Sequence, residues 1–131
     1  MVILYTTPSC TSCRKAKTWM KEHQIDFVER EMLSQPLSAQ EVQEILRMTE
    51  NGTDEIISFK SKAFRKLNVD FESLQLKELY KIIKDNPSML RRPIIKDEKR
   101  LNVGFNEEEI RSFLPRKFRS LIRIKNQDMA N

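Results

Sequence analysis

The feature that most constrains how this chain folds is a pair of cysteines at the junction of a strand and a helix. The apolar run over 2–5 predicts a short buried strand, and a helix is predicted over 11–23. The apolar residues of that helix share one face at helical spacing, namely Cys13, Ala16, Trp19 and Met20. Cys10 therefore lies at the start of the helix, within reach of solvent, and Cys13 lies one turn further on and points inward.

The placement of these two sulfurs predicts a redox couple with distinct roles. The partial positive charge of a helix N-terminus favours a thiolate, which makes Cys10 the expected nucleophile. Three basic residues of the same helix, Arg14, Lys15 and Lys17, add positive charge nearby. Cys13 is placed to resolve a sulfenic acid or a mixed disulfide formed at Cys10 before that sulfur reaches irreversible oxidation states.

Two other interpretations of the cysteine pair stay open on the sequence. Such a pair is half of many structural zinc sites, but a zinc site needs four ligands, and the chain has no third cysteine and a single histidine, His23. Zinc binding would thus require carboxylates or a second chain. An inert buried pair fits the inward position of Cys13 but not the position of Cys10. We expect neither a metal nor a cofactor.

Composition predicts a cytoplasmic protein with no membrane contact. Hydrophobic residues make up 39% of the 131 positions and charged residues 33%, with only 2 glycines, which is typical of one helix-rich domain or a small domain carrying an insertion. No apolar run is long enough to span a bilayer, and the first residues lack the features of a signal peptide. In a reducing compartment a disulfide is usually transient and either catalytic or sensing.

The net charge of +5 is concentrated at the C-terminus. From Pro115 onward the only acid is Asp128, and the basic residues are Arg116, Lys117, Arg119, Arg123 and Lys125. A basic tail of this kind suits an acidic protein surface or nucleic acid, and a solvated terminus is an equally good interpretation of its composition.

The middle of the chain is predicted to be helical over 34–90. Ser38 and Glu41 have capping-box spacing, and Leu37 and Val42 have the spacing of a hydrophobic staple. Gly52 is expected to end the first helix of this stretch, and Thr53 to cap a short second one. Further helical pieces follow over 61–67 and from residue 76, the latter with an apolar stripe and a stop, at Leu76, Leu79, Tyr80, Ile83 and Pro87.

Strands flank this helical stretch and give the predicted fold class. Besides 2–5, strands are expected over 25–30, 92–95 and 100–103, the last two joined by a turn at 97–98. Asn106 is expected to cap a final helix that Pro115 ends, with Phe105 and Ile110 at staple spacing. This order predicts an α/β protein: a thioredoxin-like mixed sheet with flanking helices and an all-helical insertion. The segments are a first redox part (1–33), the insertion (34–90), and a second redox part with the basic tail (91–131).

Pro93 is a further site residue that this layout predicts. In thioredoxin-like folds a cis-proline at the start of the third strand lies beside the cysteine site. A trans proline that begins a strand is the alternative, since cis X–Pro bonds are uncommon.

Four runs of the chain resemble the arsenate-reductase-like family of the thioredoxin superfamily, and within it the redox-responsive transcriptional regulators. The runs are 8–15, 45–58, 90–95 and 106–117. Arsenate reductases of this family hold their oxyanion with three arginines, of which only Arg92 has a counterpart here; Lys60 and Phe105 take the other two places. The resemblance therefore implies a regulator rather than an enzyme. The alternative function is an arsenate reductase or a glutaredoxin-like thiol-disulfide oxidoreductase.

The resemblance implies a protein partner, the C-terminal domain of the RNA polymerase α subunit, with promoter DNA met only through the polymerase complex. The contact is placed on the insertion around Arg47 and Gly52, although a plain helix cap also accounts for Gly52. Lys60 and Lys62, with the nearby Arg65 and Lys66, are expected to lie near DNA phosphate or to form a solvated helix face.

The resemblance also implies how the protein is controlled. Oxidants such as diamide or peroxide are expected to join Cys10 and Cys13 in a disulfide, after which the polymerase is directed to thiol-stress genes and other activators are blocked. Arg92, next to Pro93, is expected to respond to the redox state or to bind an anion. The ending 129–131 resembles tails through which such regulators reach the Clp protease, with an adaptor.

Overall fold

The computed structural model describes residues 1–67, 70 and 73–115, in which a four-stranded mixed sheet is flanked by helices. The strands are β1 (Val2–Thr6), β2 (Phe27–Glu31), β3 (Ile94–Lys96) and β4 (Leu101–Val103), in the spatial order β2-β1-β3-β4. β1 and β2 are parallel, as a strand–helix–strand crossover requires, and the other two pairs are antiparallel. The predicted fold class is confirmed. The basic tail beyond Pro115 lies outside the described residues.

The helices follow the predicted order with small shifts in their ends. They are α1 (Thr11–Glu22), α2 (Ala39–Arg47), α3 (Thr53–Ile56), α4 (Lys62–Leu67) and α5 (Leu76–Asp85). Two 3-10 turns complete the described elements, at Pro87–Met89 and Glu109–Phe113. Among the described residues, no helix is both long and apolar enough to cross a membrane.

The centre of the sheet is buried on both faces, since the side chains of β1 alternate between two apolar clusters. Val2 and Leu4 pack with α1 and the C-terminal 3-10 turn, whereas Tyr5 packs with α2 and α5 on the opposite face. β3 repeats this division, with Ile94 in the second cluster and Ile95 in the first. The cysteine helix and the helical stretch therefore lie on opposite faces of one sheet.

The expected final helix is a 3-10 turn. Its N-cap is Glu108 and not Asn106 as predicted, although Asn106 Oδ1 accepts hydrogen bonds from the backbone N–H groups of Glu108 (2.9 Å) and Glu109 (3.0 Å) just before the turn. Phe105 packs against the cluster that contains Ile110, as the staple spacing indicated. The prediction of an α-helix was wrong because the segment between the cap and Pro115 holds only a short turn, which i→i+3 bonds close more readily.

Two predicted details of the helical stretch were also wrong. Gly52 does not end α2, which stops at Arg47; it precedes α3 with a φ of +72°, so that Thr53 is the first residue of α3 rather than its cap. Leu76 is 56% exposed, because α5 meets the core only from Leu79 onward. The ends of these short helices, and the exposure of their first residues, depend on where each helix contacts the rest of the protein. Helical spacing in the sequence does not specify those contacts.

Glu41 joins α2 to the sheet. The predicted capping box is present: the Ser38 hydroxyl accepts from the Glu41 N–H and Glu41 Oε1 accepts from the Ser38 N–H, each at 3.1 Å. The same carboxylate accepts hydrogen bonds from both terminal nitrogens of Arg30 on β2, at 2.7 and 3.2 Å, and from the Tyr5 hydroxyl on β1 at 3.4 Å. Leu37 and Val42 are both buried beside it, which confirms the staple.

The pKa values of this cluster follow from these contacts. Burial of Glu41 opposes its charge, but the Ser38 and Arg30 hydrogen bonds outweigh that effect and lower its pKa below the ordinary 4.5. Burial, followed by the negative charge of Glu41, raises the pKa of Tyr5 to about 12. Glu41 is therefore ionised in the folded protein over the whole neutral range.

We predict that Glu41→Gln destabilises the fold by about 2 kcal/mol near neutral pH, because a charge-assisted pair is lost and Arg30 keeps an unmatched charge. A lowered folded pKa contributes stability above the unfolded pKa of about 4.5, and this stability disappears as the pH falls through the folded value. The difference between wild type and variant should thus shrink in acid. Urea unfolding at about pH 7 and about pH 4 measures it, with Glu44→Gln of the same helix as control. Equal differences at both pH values would contradict the assignment.

Candidate redox site

Cys10 caps α1 through its sulfur. Its backbone is extended (φ −105°, ψ 112°), and its Sγ accepts a hydrogen bond from the Cys13 N–H at 3.2 Å. The Arg14 N–H then donates to the Cys10 carbonyl at 3.1 Å and begins the regular helix. The chain reaches this position through a turn at Ser9, whose φ is +58°. The Cys10 sulfur thus accepts a hydrogen bond from a backbone N–H in the first turn of α1.

Cys13 lies directly inside this cap and differs sharply in environment. Its side chain is only 2% exposed, whereas Cys10 is half-buried, and both are free thiols. Burial, together with a hydrogen bond to Cys10, raises the pKa of Cys13 to about 12, against weaker opposing effects from the Thr7 backbone and the Arg92 charge. Cys10 is therefore the more accessible of the two sulfurs.

Pro93 completes the site from the opposite end of the chain. The Arg92–Pro93 peptide bond is cis, one of the two alternatives that the sequence left open, and Pro93 is buried immediately before β3. The Pro93 carbonyl accepts from the Gly104 N–H at 2.7 Å, which ties it to the residue after β4. Arg92 is exposed, and its charge acts on Cys13. Arg92 is thus close enough for its charge to reach Cys13, although the two residues are far apart in sequence.

The other two positions at which the resemblance implies an oxyanion-binding arginine hold Phe105 and Lys60 instead. Phe105 packs against the cluster around Ile110 and forms one wall of a shallow groove beside Trp19, and its ring has no hydrogen-bond donor. Lys60 is exposed in the turn that precedes α4. Arg92 is thus the one arginine present at the three positions that the resemblance points to.

The residues expected to contact a partner lie near each other in sequence but on different elements. Arg47 is the exposed last residue of α2, and Gly52 immediately precedes α3. A Cβ built on Gly52 meets no atom within 4 Å, so that the backbone conformation, not crowding, demands glycine there. The basic residues expected near DNA, namely Lys60, Lys62, Arg65 and Lys66, are exposed on or just before α4, which has no buried residue.

Two residues of this region were missed by sequence reasoning. Thr49 and Glu55 hydrogen-bond the backbone of the loop between α2 and α3, as detailed below. Glu55 is the third residue of α3, where an acid commonly reaches back to free N–H groups, and this spacing is the signal that could have identified it. Within the described part of the chain, no group of three or more His, Cys, Asp or Glu is placed to hold a metal.

A dithiol at a helix start beside a cis-proline, on a mixed four-stranded sheet, defines a thioredoxin-like redox domain. Residues 5–113 match the family model described as the ArsC family. The chain belongs to the ArsC family.

Comparison with individual proteins confirms both the fold and the resemblance to regulators. The chain is 63% identical to the "Global transcriptional regulator Spx" of Bacillus subtilis, over 100% of both chains. It is 59% identical to the protein of that name from Lactiplantibacillus plantarum, over 100% of this chain and 99% of the other. A solved arsenate reductase from Vibrio cholerae has a TM-score of 0.77 at 19% identity, covering 86% of this chain and 97% of the other, and shows the fold alone.

We predict that a thiol-alkylating reagent such as iodoacetamide modifies Cys10 at least about tenfold faster than Cys13 at neutral pH, because Cys13 is buried and its pKa is raised to about 12. Mass spectrometry of peptides from the reduced, folded protein measures the two rates. Cys10→Ser should take up almost no label until urea unfolds it, and Cys13→Ser should label like the wild type. Equal labelling of both sulfurs in the folded wild type would refute the buried position of Cys13.

Proposed function

We propose that this protein is a redox-responsive transcriptional regulator that binds the C-terminal domain of the RNA polymerase α subunit under the control of a Cys10–Cys13 disulfide. The observation that carries the proposal is the Cys10 Sγ placed 3.2 Å from the Cys13 N–H at the start of α1, with both thiols free. The chain that carries these thiols is 63% identical, over its whole length, to a protein named a global transcriptional regulator.

The redox step uses an oxidant of the peroxide or diamide class. With peroxide, the Cys10 thiolate attacks one oxygen, the O–O bond breaks, and Cys10 becomes a sulfenic acid as the other oxygen leaves as water. Cys13 then attacks the Cys10 sulfur, and its proton leaves with the hydroxyl as a second water. Two thiols are thereby oxidised to a disulfide while one peroxide is reduced. With diamide, the same two electrons and two protons reduce the N=N bond to a hydrazine.

Contacts beside Pro93 support a route from the cysteines to the helical stretch. Arg91, two residues before Pro93, donates its backbone N–H to the Ile56 carbonyl at 2.8 Å and its Nε to the Ile57 carbonyl at 3.2 Å. Ile57 also pairs with Leu90 in an isolated antiparallel bridge. The end of α3 is thus attached to the segment that enters the redox site. A change in packing at the disulfide reaches α3, and through it the surface around Gly52, over these hydrogen bonds.

The proposed partner surface comprises Arg47 and Gly52, with Lys60 and Lys62 nearby in the chain. Arg47 supplies a charged group at the end of α2, and the absence of a side chain at Gly52 allows close approach of another backbone. Once the polymerase subunit is bound, the lysines are proposed to lie near promoter phosphate, which adds affinity without sequence recognition. DNA is therefore bound only within the polymerase complex.

The proposed cellular role extends this mechanism. The oxidised protein directs the polymerase to genes of thiol and oxidative stress and blocks other activators, in the cytoplasm. Turnover by the Clp protease and an adaptor is a second control, through residues 129–131, which lie outside the described residues. The alternative function is an arsenate reductase or a glutaredoxin-like enzyme. The fold, shared with a solved arsenate reductase, permits this alternative, but Phe105 disfavours it because its ring cannot donate a hydrogen bond to an oxyanion.

We predict that Gly52→Arg weakens binding to the C-terminal domain of the α subunit at least about a hundredfold, since a large side chain fills the space through which the partner approaches. Gly52→Ala should cost a smaller part of this, because a methyl group fills little of that space, while its strain at φ +72°, about 1–2 kcal/mol, lowers stability instead. Titration calorimetry measures the affinities, and thermal unfolding checks the fold.

The matched control for this prediction is Gly104→Ala, because Gly104 also has a positive φ, +82°, and open space around its Cβ direction. It should lose similar stability and keep full affinity. If Gly52→Arg binds like the wild type while folded, the proposed surface is wrong.

We predict that diamide increases capture of the same polymerase domain severalfold, and that Cys10→Ser and Cys13→Ser remove this response without abolishing the fold. The reason is that either substitution leaves one sulfur without a partner for the disulfide. Pull-down with purified components, with and without diamide and dithiothreitol, measures it. Unchanged capture by oxidised and reduced wild type would contradict redox control, and arsenate turnover dependent on Cys10 would favour the enzyme.

A further inference from the structure

We infer that Thr49 and Glu55 are positioning residues that hold the loop over 48–52 in the shape that the polymerase subunit binds, an inference that rests on the proposed function. This interface loop connects α2 to α3: it follows one proposed contact residue, Arg47, and ends with the other, Gly52. Neither Thr49 nor Glu55 belongs to the surface proposed above. Their side chains are instead directed to the backbone of the interface loop.

Thr49 fastens one end of the interface loop to α2. Its Oγ1 donates a hydrogen bond to the Leu46 carbonyl at 2.6 Å and accepts one from the Gly52 N–H at 3.1 Å. A single hydroxyl therefore satisfies a carbonyl in the last turn of α2 and fixes Gly52 relative to it. Valine has the same shape but could do neither.

Glu55 fastens the other end of the interface loop to α3. Its Oε1 accepts from the Glu50 N–H at 3.0 Å and from the Asn51 N–H at 2.9 Å. Hydrogen bonds to an ionised carboxylate are stronger than neutral ones, and two donors on one oxygen define the direction of both peptide groups. The Glu55 N–H in turn donates to the Gly52 carbonyl at 3.2 Å, which closes the first turn of α3.

These contacts determine what the interface loop offers to a partner. The N–H groups of residues 50, 51 and 52 are all bonded within the chain, so a partner meets the exposed side chains of Glu50 and Asn51 and the bare Cα of Gly52. Because the loop is already ordered, binding does not have to fix its backbone, and that entropy cost is absent from the affinity. The affinity should therefore depend on two side chains that do not touch the partner.

The test separates loop order from binding. Amide hydrogen exchange by NMR, on the full-length free protein, reports the order of residues 50–52 without any partner. Titration calorimetry with the purified C-terminal domain of the α subunit reports affinity. The variants are Thr49→Val and Glu55→Ala, with Thr49→Ser as the conservative rescue and Asp54→Ala, an exposed acid of the same helical turn, as the matched control. Thermal unfolding shows which variants are folded.

We expect Glu55→Ala to speed exchange at residues 50 and 51, and Thr49→Val to speed it at Gly52, by about fivefold to tenfold each, as the loss of a hydrogen bond implies. Affinity should fall by a similar factor in both variants. Thr49→Ser should restore exchange and affinity, and Asp54→Ala should change neither.

Three results would overturn the inference. Faster exchange with unchanged affinity would show that loop order does not contribute to binding, while the proposed function stands. Weaker binding with unchanged exchange would show that these side chains touch the partner directly. No binding by the wild type, whose loop amides are protected, would refute the proposed function and with it this role.

Discussion

The strand β1 is the constraint on which the rest of the structure depends. It is bonded to β2 on one side and β3 on the other, and its side chains enter the apolar clusters on both faces of the sheet. Its register opposite β3, with Tyr5 across from Ile94, brings Pro93 to the same end of the sheet as the residues that follow Thr6. Those residues lead to Cys10. A shift of this register would move the proline away from the cysteines and turn core residues toward solvent.

The two faces of the sheet bear different helices. One face bears α1 and the cysteines, and the other bears α2, from which the proposed partner surface begins. Glu41 joins α2 to the sheet through Arg30 of β2 and Tyr5 of β1, all on one face, and Arg91 joins the segment before β3 to the end of α3.

The sequence predicted those features that depend on neighbours within one helical turn or along one strand. The cap at Cys10, the inward position of Cys13 and the capping box at Ser38 are local, and the structure confirms all three. The errors at Gly52, at Leu76 and in the turn after Asn106 have a common cause. Each concerns the end of a short element, where propensity is weak and contact with the rest of the protein decides whether a turn continues.

The sequence by itself determined that a dithiol stands at a helix start, because helical spacing and the preceding apolar run fix which sulfur is outside and which is inside. It also specified a mixed sheet interrupted by helices. Only the tertiary structure decided that the Arg92–Pro93 bond is cis and that Arg92 acts on Cys13, whose pKa is raised by burial. It alone also showed that the Glu41 carboxylate accepts hydrogen bonds from Arg30, eleven positions earlier in the chain. These outcomes depend on distances between distant parts of the chain and on the solvent excluded between them, which no local pattern of residues records.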